Sequence, residues 1–121
     1  MTITPPKSFD ELLARYRQGE RLFAGAELEE GSDLSGVCLD DVDLSKAFVV
    51  ASFNGASLRR AVFRESNVRT CDLSNADLTG ADFRGAALCS AKFDGARLDG
   101  AQFEGASIHS YTFKAGERPD S

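Results

Sequence analysis

The sequence predicts an all-β solenoid preceded by a short helix, and three observations carry that prediction. From Ala51 to Ala115 a large apolar residue returns at every fifth position: Phe53, Leu58, Phe63, Val68, Leu73, Leu78, Phe83, Leu88, Phe93, Leu98, Phe103, Ile108 and Phe113. Two positions before each of these stands a small residue, from Ala51 through Ser66 and Cys71 to Ala106, and only Tyr111 breaks that column. Two positions after, glycine recurs at Gly55, Gly80, Gly85, Gly95, Gly100 and Gly105. A period of five fits neither the 3.6 of an amphipathic helix nor the 2 of a half-buried strand, which leaves a repeat architecture.

The first twenty residues stand apart from this pattern. Ser8 followed by Glu11 has the form of a capping box, in which each satisfies an orphan amide at a helix start. Phe9, Leu12, Leu13 and Tyr16 then fall on one face, and Gly19 supplies a left-handed stop. A helix is expected over about residues 8–18, its apolar stripe capping the open end of the array, as terminal solenoid units require. Residues 21–115 form the array, and the polar segment 116–121 reads as a disordered tail.

Within one pentad, residues two apart on an extended chain point the same way. The small residue and the large one therefore share a narrow interior, and the glycine position makes a corner. Further units precede Ala51, centred on Phe23, Leu28, Leu34, Leu39, Leu44 and Val49, with one residue too many near Gly31 and one too few between Val49 and Phe53. Sorted as four sides per coil, the centres form four columns. One reads Leu39, Leu58, Leu78, Leu98; the next Phe23, Leu44, Phe63, Phe83, Phe103; the third Leu28, Val49, Val68, Leu88, Ile108; the fourth Leu34, Phe53, Leu73, Phe93, Phe113. Like stacks on like, so one rotamer can repeat up each column at interior packing density.

Units such as Ala76–Gly80 (ADLTG), Ala81–Gly85 (ADFRG) and Ala101–Gly105 (AQFEG) resemble those of the pentapeptide-repeat family, A(D/N)LXX, over roughly Leu22 to Ala115. That resemblance implies a right-handed quadrilateral β-helix. About five coils at the ~4.8 Å strand spacing would make a rod roughly 24 Å long. The departures are Lys46–Val50, where no clean unit is seen, and Val37 and Val42, which stand where a small residue is expected.

Composition narrows the function. A net charge of −5 argues against direct nucleic-acid binding. Three cysteines make no disulfide framework. The N-terminal segment carries no secretion-signal pattern, and nothing later approaches the ~18 apolar residues of a membrane span, so a cytoplasmic, soluble protein is expected. Cys71 falls in the interior column, whereas Cys38 and Cys89 face outward on different sides, so no pair is placed to close a disulfide.

A filled rod offers no catalytic cleft, and no catalytic, cofactor-binding or metal-binding residue is assigned. Cys89 and His109 each follow a centre of the same column by one and should be neighbours on adjacent coils, with Arg69 below them. Two ligands alone do not make a zinc site, and the pair reads as rod surface. Asp72, Asp77 and Asp82 occupy the first polar slot of their units and read as corner hydrogen-bond acceptors rather than as an acid/base pair.

The informative surface features lie elsewhere. Glu20–Ser45 holds eight acids and one base, while Arg59–Thr70 holds Arg59, Arg60, Arg64 and Arg69 against Glu65. Phe48 and Val50 either form an outward apolar patch or fold inward at the register break. At the C-terminal end, Ile108, Tyr111 and Phe113 either pair end to end with a second copy or are covered by Tyr111 and the tail. The expected function is a noncatalytic interaction or scaffold module for an unidentified protein partner, with Phe48, Val50, Arg59, Arg60, Arg64 and Arg69 as the candidate surface. Some members of the family that these units resemble mimic duplex DNA and bind a type II topoisomerase such as gyrase, which makes that enzyme a second candidate partner. A purely structural domain is the third reading.

Overall fold

The computed structural model describes residues 4–119. Its helix α1 (Phe9–Arg17) starts at Ser8, whose side chain accepts a hydrogen bond from the Glu11 amide at 3.1 Å. Phe9 and Leu12 are buried, and the Phe9 ring meets Phe53 edge-on, 6.3 Å between centroids. The other end of α1 is tied down by Tyr16, which donates its hydroxyl to the Asp40 carbonyl at 2.8 Å while the Arg21 guanidinium lies 3.6 Å over its ring. An apolar stripe that would be worth little in an isolated nine-residue helix is thus stabilised by packing.

Four short strands follow: β1 (Glu27–Asp33), β2 (Phe48–Ser52), β3 (Ser107–Ile108) and β4 (Tyr111–Thr112). Between them, most sides of the array contribute a single parallel bridge per turn, because only about three residues are extended before the next corner. The bridges form four ladders. One joins Cys38, Ser57, Asp77 and Arg97; the next joins Leu22, Asp43, Val62, Asp82 and Gln102. A third runs Glu27, Phe48, Asn67, Ala87, Ser107, and the fourth Asp33, Ser52, Asp72, Lys92. Each ladder lies one residue before a column of apolar centres, so up to Ile108 the columns read from the sequence are the columns of the array. From Ser52↔Asp72 upward all partners are twenty residues apart.

The two slips in the repeat also have structural counterparts. Leu22↔Asp43 and Glu27↔Phe48 are twenty-one residues apart, whereas Cys38↔Ser57, Asp43↔Val62 and Phe48↔Asn67 are nineteen apart. β1 and β2 pair in parallel, with the register shifting between Leu28 and Ser32, so residues 29–31 oppose Val50 alone. The surplus in one coil therefore lies against the deficit in the next. β2 runs straight through a position where other coils turn, with no left-handed residue, whereas β1 opposite it bends at Gly31 (φ 67°).

The centres and their small partners make one continuous core, from Phe9 to Phe113. Phe63 and Phe83 stack at 4.9 Å and 5°, and Phe83 and Phe103 at 5.1 Å and 1°, close to the spacing of neighbouring strands. Rings on adjoining sides meet edge-on, as Phe83 and Phe93 do at 5.9 Å. The polar members of the small column are satisfied in place: the Ser66 hydroxyl donates to the Phe63 carbonyl at 2.6 Å, and the Cys71 thiol to the Val49 carbonyl at 3.2 Å. Val42 is fully buried and Val37 half-buried, so both larger residues are accommodated.

Corners sit in the left-handed region. At Gly95 (φ 72°) an added Cβ would also come within 2.5 Å of Asn75 Oδ1 on the turn below. Several corners nevertheless carry other residues, among them Thr70 at φ 63°, a conformation unfavourable for a β-branched side chain. Replacing Thr70 by glycine should therefore raise stability by about 1 kcal/mol, read as a higher melting temperature. An unchanged or lower melting temperature would show the corner to be unstrained.

The top of the array departs from the expected column. Phe113 does not continue the fourth side above Phe93. The chain reverses through His109 and Ser110, and β3 pairs antiparallel with β4, Ser107 facing Thr112 and Ile108 facing Tyr111. Phe113 then lies against Phe103 and Tyr111, with centroids 6.1 and 5.3 Å away, and is largely buried. The reason is local. His109 takes the left-handed conformation (φ 53°) one residue earlier than the corner position, which makes a tight two-residue hairpin turn in place of a coil corner. Phe93 is left half-buried beneath a depression of about 460 Å³ that Ile108 and Pro119 also line.

Candidate functional site

The conspicuous acids serve the corners. Asp72 Oδ1 accepts the Ser74 amide at 3.0 Å; Asp77 Oδ1 accepts the Thr79 amide at 3.1 Å and its hydroxyl at 2.6 Å; Asp82 Oδ1 accepts the Arg84 amide at 3.0 Å. The Ser74 hydrogen bonds hold the Asp72 carboxyl below its usual range. Asp77 is lowered to about 2, chiefly by the Thr79 hydroxyl. Burial pushes Asp82 upward, but hydrogen bonds from Arg84 and Arg64 outweigh it and leave it at about 2. Carboxyls held this firmly in the ionised form do not match the proton affinity of a general acid or base working near neutrality.

The arginines divide into two groups. Arg59 Nε lies 2.7 Å from Asp77 Oδ2, Arg60 Nε 2.7 Å from Asp41 Oδ1, and Arg64 Nη2 2.8 Å from Asp82 Oδ2. These three stitch their turn to the turns above and below it, on other sides of the rod from Phe48. Arg69 instead donates from Nε to Asn67 Oδ1 at 3.1 Å, and no carboxylate among the described residues forms an ion pair with it.

Of the six residues of the candidate surface, Phe48, Val50 and Arg69 come together. They line a groove of about 260 Å³ with Thr70, Cys89 and Ser90. Its origin is the straightened corner. In β2, Val49 and Ala51 point inward while Phe48 and Val50 alternate with them and stay half-buried. One and two turns above, the chain bends through the left-handed corners at Thr70 and Ser90 (φ 65°). A straight strand beneath bent ones leaves a furrow with an apolar floor and a cationic wall. The sequence signal for it is the four-residue spacing from Val49 to Phe53.

Along the same side, Cys89 Sγ lies 3.3 Å from His109 Nδ1. Sequence spacing places the two as neighbours, and the hairpin turn carries the imidazole onto the thiol. At the C-terminal end Tyr111 is about half exposed and its hydroxyl donates to the Glu117 carboxylate at 2.6 Å, while the Lys114 amide donates to Glu117 Oε1 at 2.7 Å. Arg118 Nη1 donates to the Leu98 carbonyl at 3.2 Å. Residues 116–119 thus lie against the array, and residues 120 and 121 fall outside the described residues. Neither the spacing nor the composition of KAGERPDS signals these contacts. Among the described residues no helix is long and apolar enough to cross a membrane.

A family model for pentapeptide repeats matches residues 71–109 as eight copies. No curated protein matches the chain. Among solved structures it is similar to alr5209, a pentapeptide repeat protein from Nostoc PCC 7120, at 34% identity and a TM-score of 0.52, over 96% of this chain and 93% of that one. It is similar to HetL from Nostoc sp. strain PCC 7120, a pentapeptide repeat protein involved in heterocyst differentiation regulation, at 30% identity and a TM-score of 0.55, over 80% of this chain and 45% of that one. The likeness to the pentapeptide repeat protein Rfr23 from the cyanobacterium Cyanothece 51142 covers 72% of this chain and 63% of that one, at 22% identity and a TM-score of 0.59, and shows the fold alone. The chain spans less than two thirds of the length of the last two.

Proposed function

The chain belongs to the pentapeptide-repeat family, and on that premise we propose that it is a noncatalytic protein-interaction module: a right-handed, four-sided rod of about five coils, capped by α1, that docks a protein partner in the Phe48–Val50–Arg69 groove. One observation carries this reading. At the straightened corner two large apolar side chains stand half-buried on the outer face of a strand, beside a guanidinium that no described carboxylate neutralises. Aromatic and arginine side chains are the types enriched where interfaces concentrate their binding energy. Arg59, Arg60 and Arg64 support the rod instead, since each is held by a carboxylate on a neighbouring turn.

A DNA mimic directed at a topoisomerase would want carboxylates running unbroken along one side. The ion pairs of Arg59 and Arg64 with Asp77 and Asp82 interrupt such a line, which favours the groove. The test is affinity capture from native lysate with the unaltered chain, a Phe48→Ser/Val50→Ser variant, and an Arg59→Gln variant. The groove reading expects a partner retrieved by the first and the third and lost with the second. Equal retrieval by all three would place the binding surface elsewhere. Inhibition of gyrase supercoiling that survives the double substitution would support the mimic.

A further inference from the structure

We propose that Cys89 and His109 form a thiol–imidazole pair that makes Cys89 a site of reversible mixed-disulfide formation with a small disulfide bearing a carboxylate, which Arg69 holds. The pair is built by the fold. Cys89 and Ser107–Ile108 lie on consecutive turns of one ladder, where Ala87 pairs with Ser107. The turn at His109 projects from this point and brings Nδ1 to 3.3 Å from Sγ. The thiol is half-exposed at the rim of the groove, so a solute can reach it. The groove, at about 260 Å³, has room for a small organic group, since one liquid water occupies about 30 Å³. Arg69 on the same wall offers a guanidinium suited to a carboxylate, with Phe48 and Val50 as an apolar floor.

The chemistry balances without any other reactant. With Nδ1 unprotonated, the Cys89 thiol donates to it, and the imidazole takes the proton as the thiolate attacks the nearer sulfur of the incoming disulfide. That disulfide bond breaks as the new one forms, and the departing thiolate recovers the proton from the imidazolium. The net change is thiol plus disulfide giving mixed disulfide plus thiol; the Cys89 sulfur is oxidised and the small disulfide reduced. Among the described residues, His109 is the titratable partner in contact with the thiol and Arg69 the charged residue that lines the same groove.

The chain carries its own references. Cys38 is exposed and lies on a different side of the rod. Cys71 is fully buried, and burial pushes its thiol up to about 11. The inference does not depend on the docking reading, because the rates are measured on the chain alone.

The test is site-resolved modification by two probes, dithiobis(nitrobenzoate), which carries carboxylates, and neutral dithiodipyridine, followed by peptide mass spectrometry. At neutral pH the anionic probe should modify Cys89 about tenfold faster than Cys38. His109→Asn, a residue that tolerates the left-handed turn, should bring Cys89 to within about twofold of Cys38. Arg69→Gln should slow the anionic probe severalfold at Cys89 and leave the neutral probe unchanged. Equal rates at Cys89 and Cys38, or an unaltered Cys89 rate in His109→Asn, would overturn the pair; equal slowing of both probes in Arg69→Gln would overturn the carboxylate site. Labelling of Cys71 would reveal an unfolded variant. In that event the unaltered chain decides: the advantage of Cys89 should shrink as pH rises toward about 9, where free thiols ionise unaided, and a constant ratio would overturn the proposal.

Discussion

Truncating Phe83 to alanine should destabilise the chain by about 3–5 kcal/mol, the range for removing a fully buried phenylalanine. The side chain is completely inaccessible, stacked between Phe63 and Phe103 and met edge-on by Phe93. A void at that point removes contacts on three sides, and the backbone bonds above and below it limit collapse: Phe63 N to Asp82 O at 2.7 Å and Phe83 N to Gln102 O at 2.8 Å. Against the 5–15 kcal/mol typical of a folded domain, this is a large fraction of the whole. Phe93→Ala, at a half-buried site, should cost clearly less. Urea denaturation of both variants checks the order. A loss at Phe83 below about 1 kcal/mol would mean that the phenylalanine column is not a packed core.

The second large effect concerns charge, and its size depends on pH. Asp82 is nearly buried and accepts from the Arg84 amide and from both the Arg84 and Arg64 guanidinium groups, the latter one turn below. Its folded carboxyl, at about 2, is depressed from an ordinary 3.8. A depressed acid adds stability above its unfolded value and loses it as pH falls toward the folded value. The difference corresponds to about 2 kcal/mol. Asp82→Asn should therefore lower stability by about 2 kcal/mol at neutral pH and by little near pH 2, with the contribution fading between about pH 4 and 2. Denaturant midpoints across that range supply the check. An equal loss at both ends would show that shape, rather than charge, makes Asp82 important.

Much of this rod is legible in the sequence because each pentad makes the same local choices. Short-range chemistry sets the left-handed residue, the inward pair and, where Asp fills the first polar slot as at Asp72, Asp77 and Asp82, the bond to a corner amide, and repetition then aligns the units into columns such as Leu39, Leu58 and Leu78. The slips at Gly31 and Val50 are visible as spacing, but their cancellation across β1 and β2 is a contact between coils. The reversal at His109 is harder to read. Ile108 and Phe113 keep the five-residue spacing, and only Tyr111 in the small-residue position hints that the chain turns back. At the candidate surface, the pattern exposes Phe48 and Val50 as irregular and Arg69 as one of four similar arginines. What separates Arg69 from Arg59, Arg60 and Arg64 is which carboxylates stand one coil away, and local composition does not encode that.

The central claim is that binding resides where the repeat is broken, at the straightened corner and the groove beside it. Hydrogen–deuterium exchange of the chain, alone and bound to its captured partner, tests it most directly. The account predicts added protection in the peptides that carry Phe48–Ser52 and Arg69–Thr70, with the Arg59–Arg64 segment and the terminal hairpin unchanged. Protection confined to Arg59–Arg64, or to Ser107–Phe113, would contradict it.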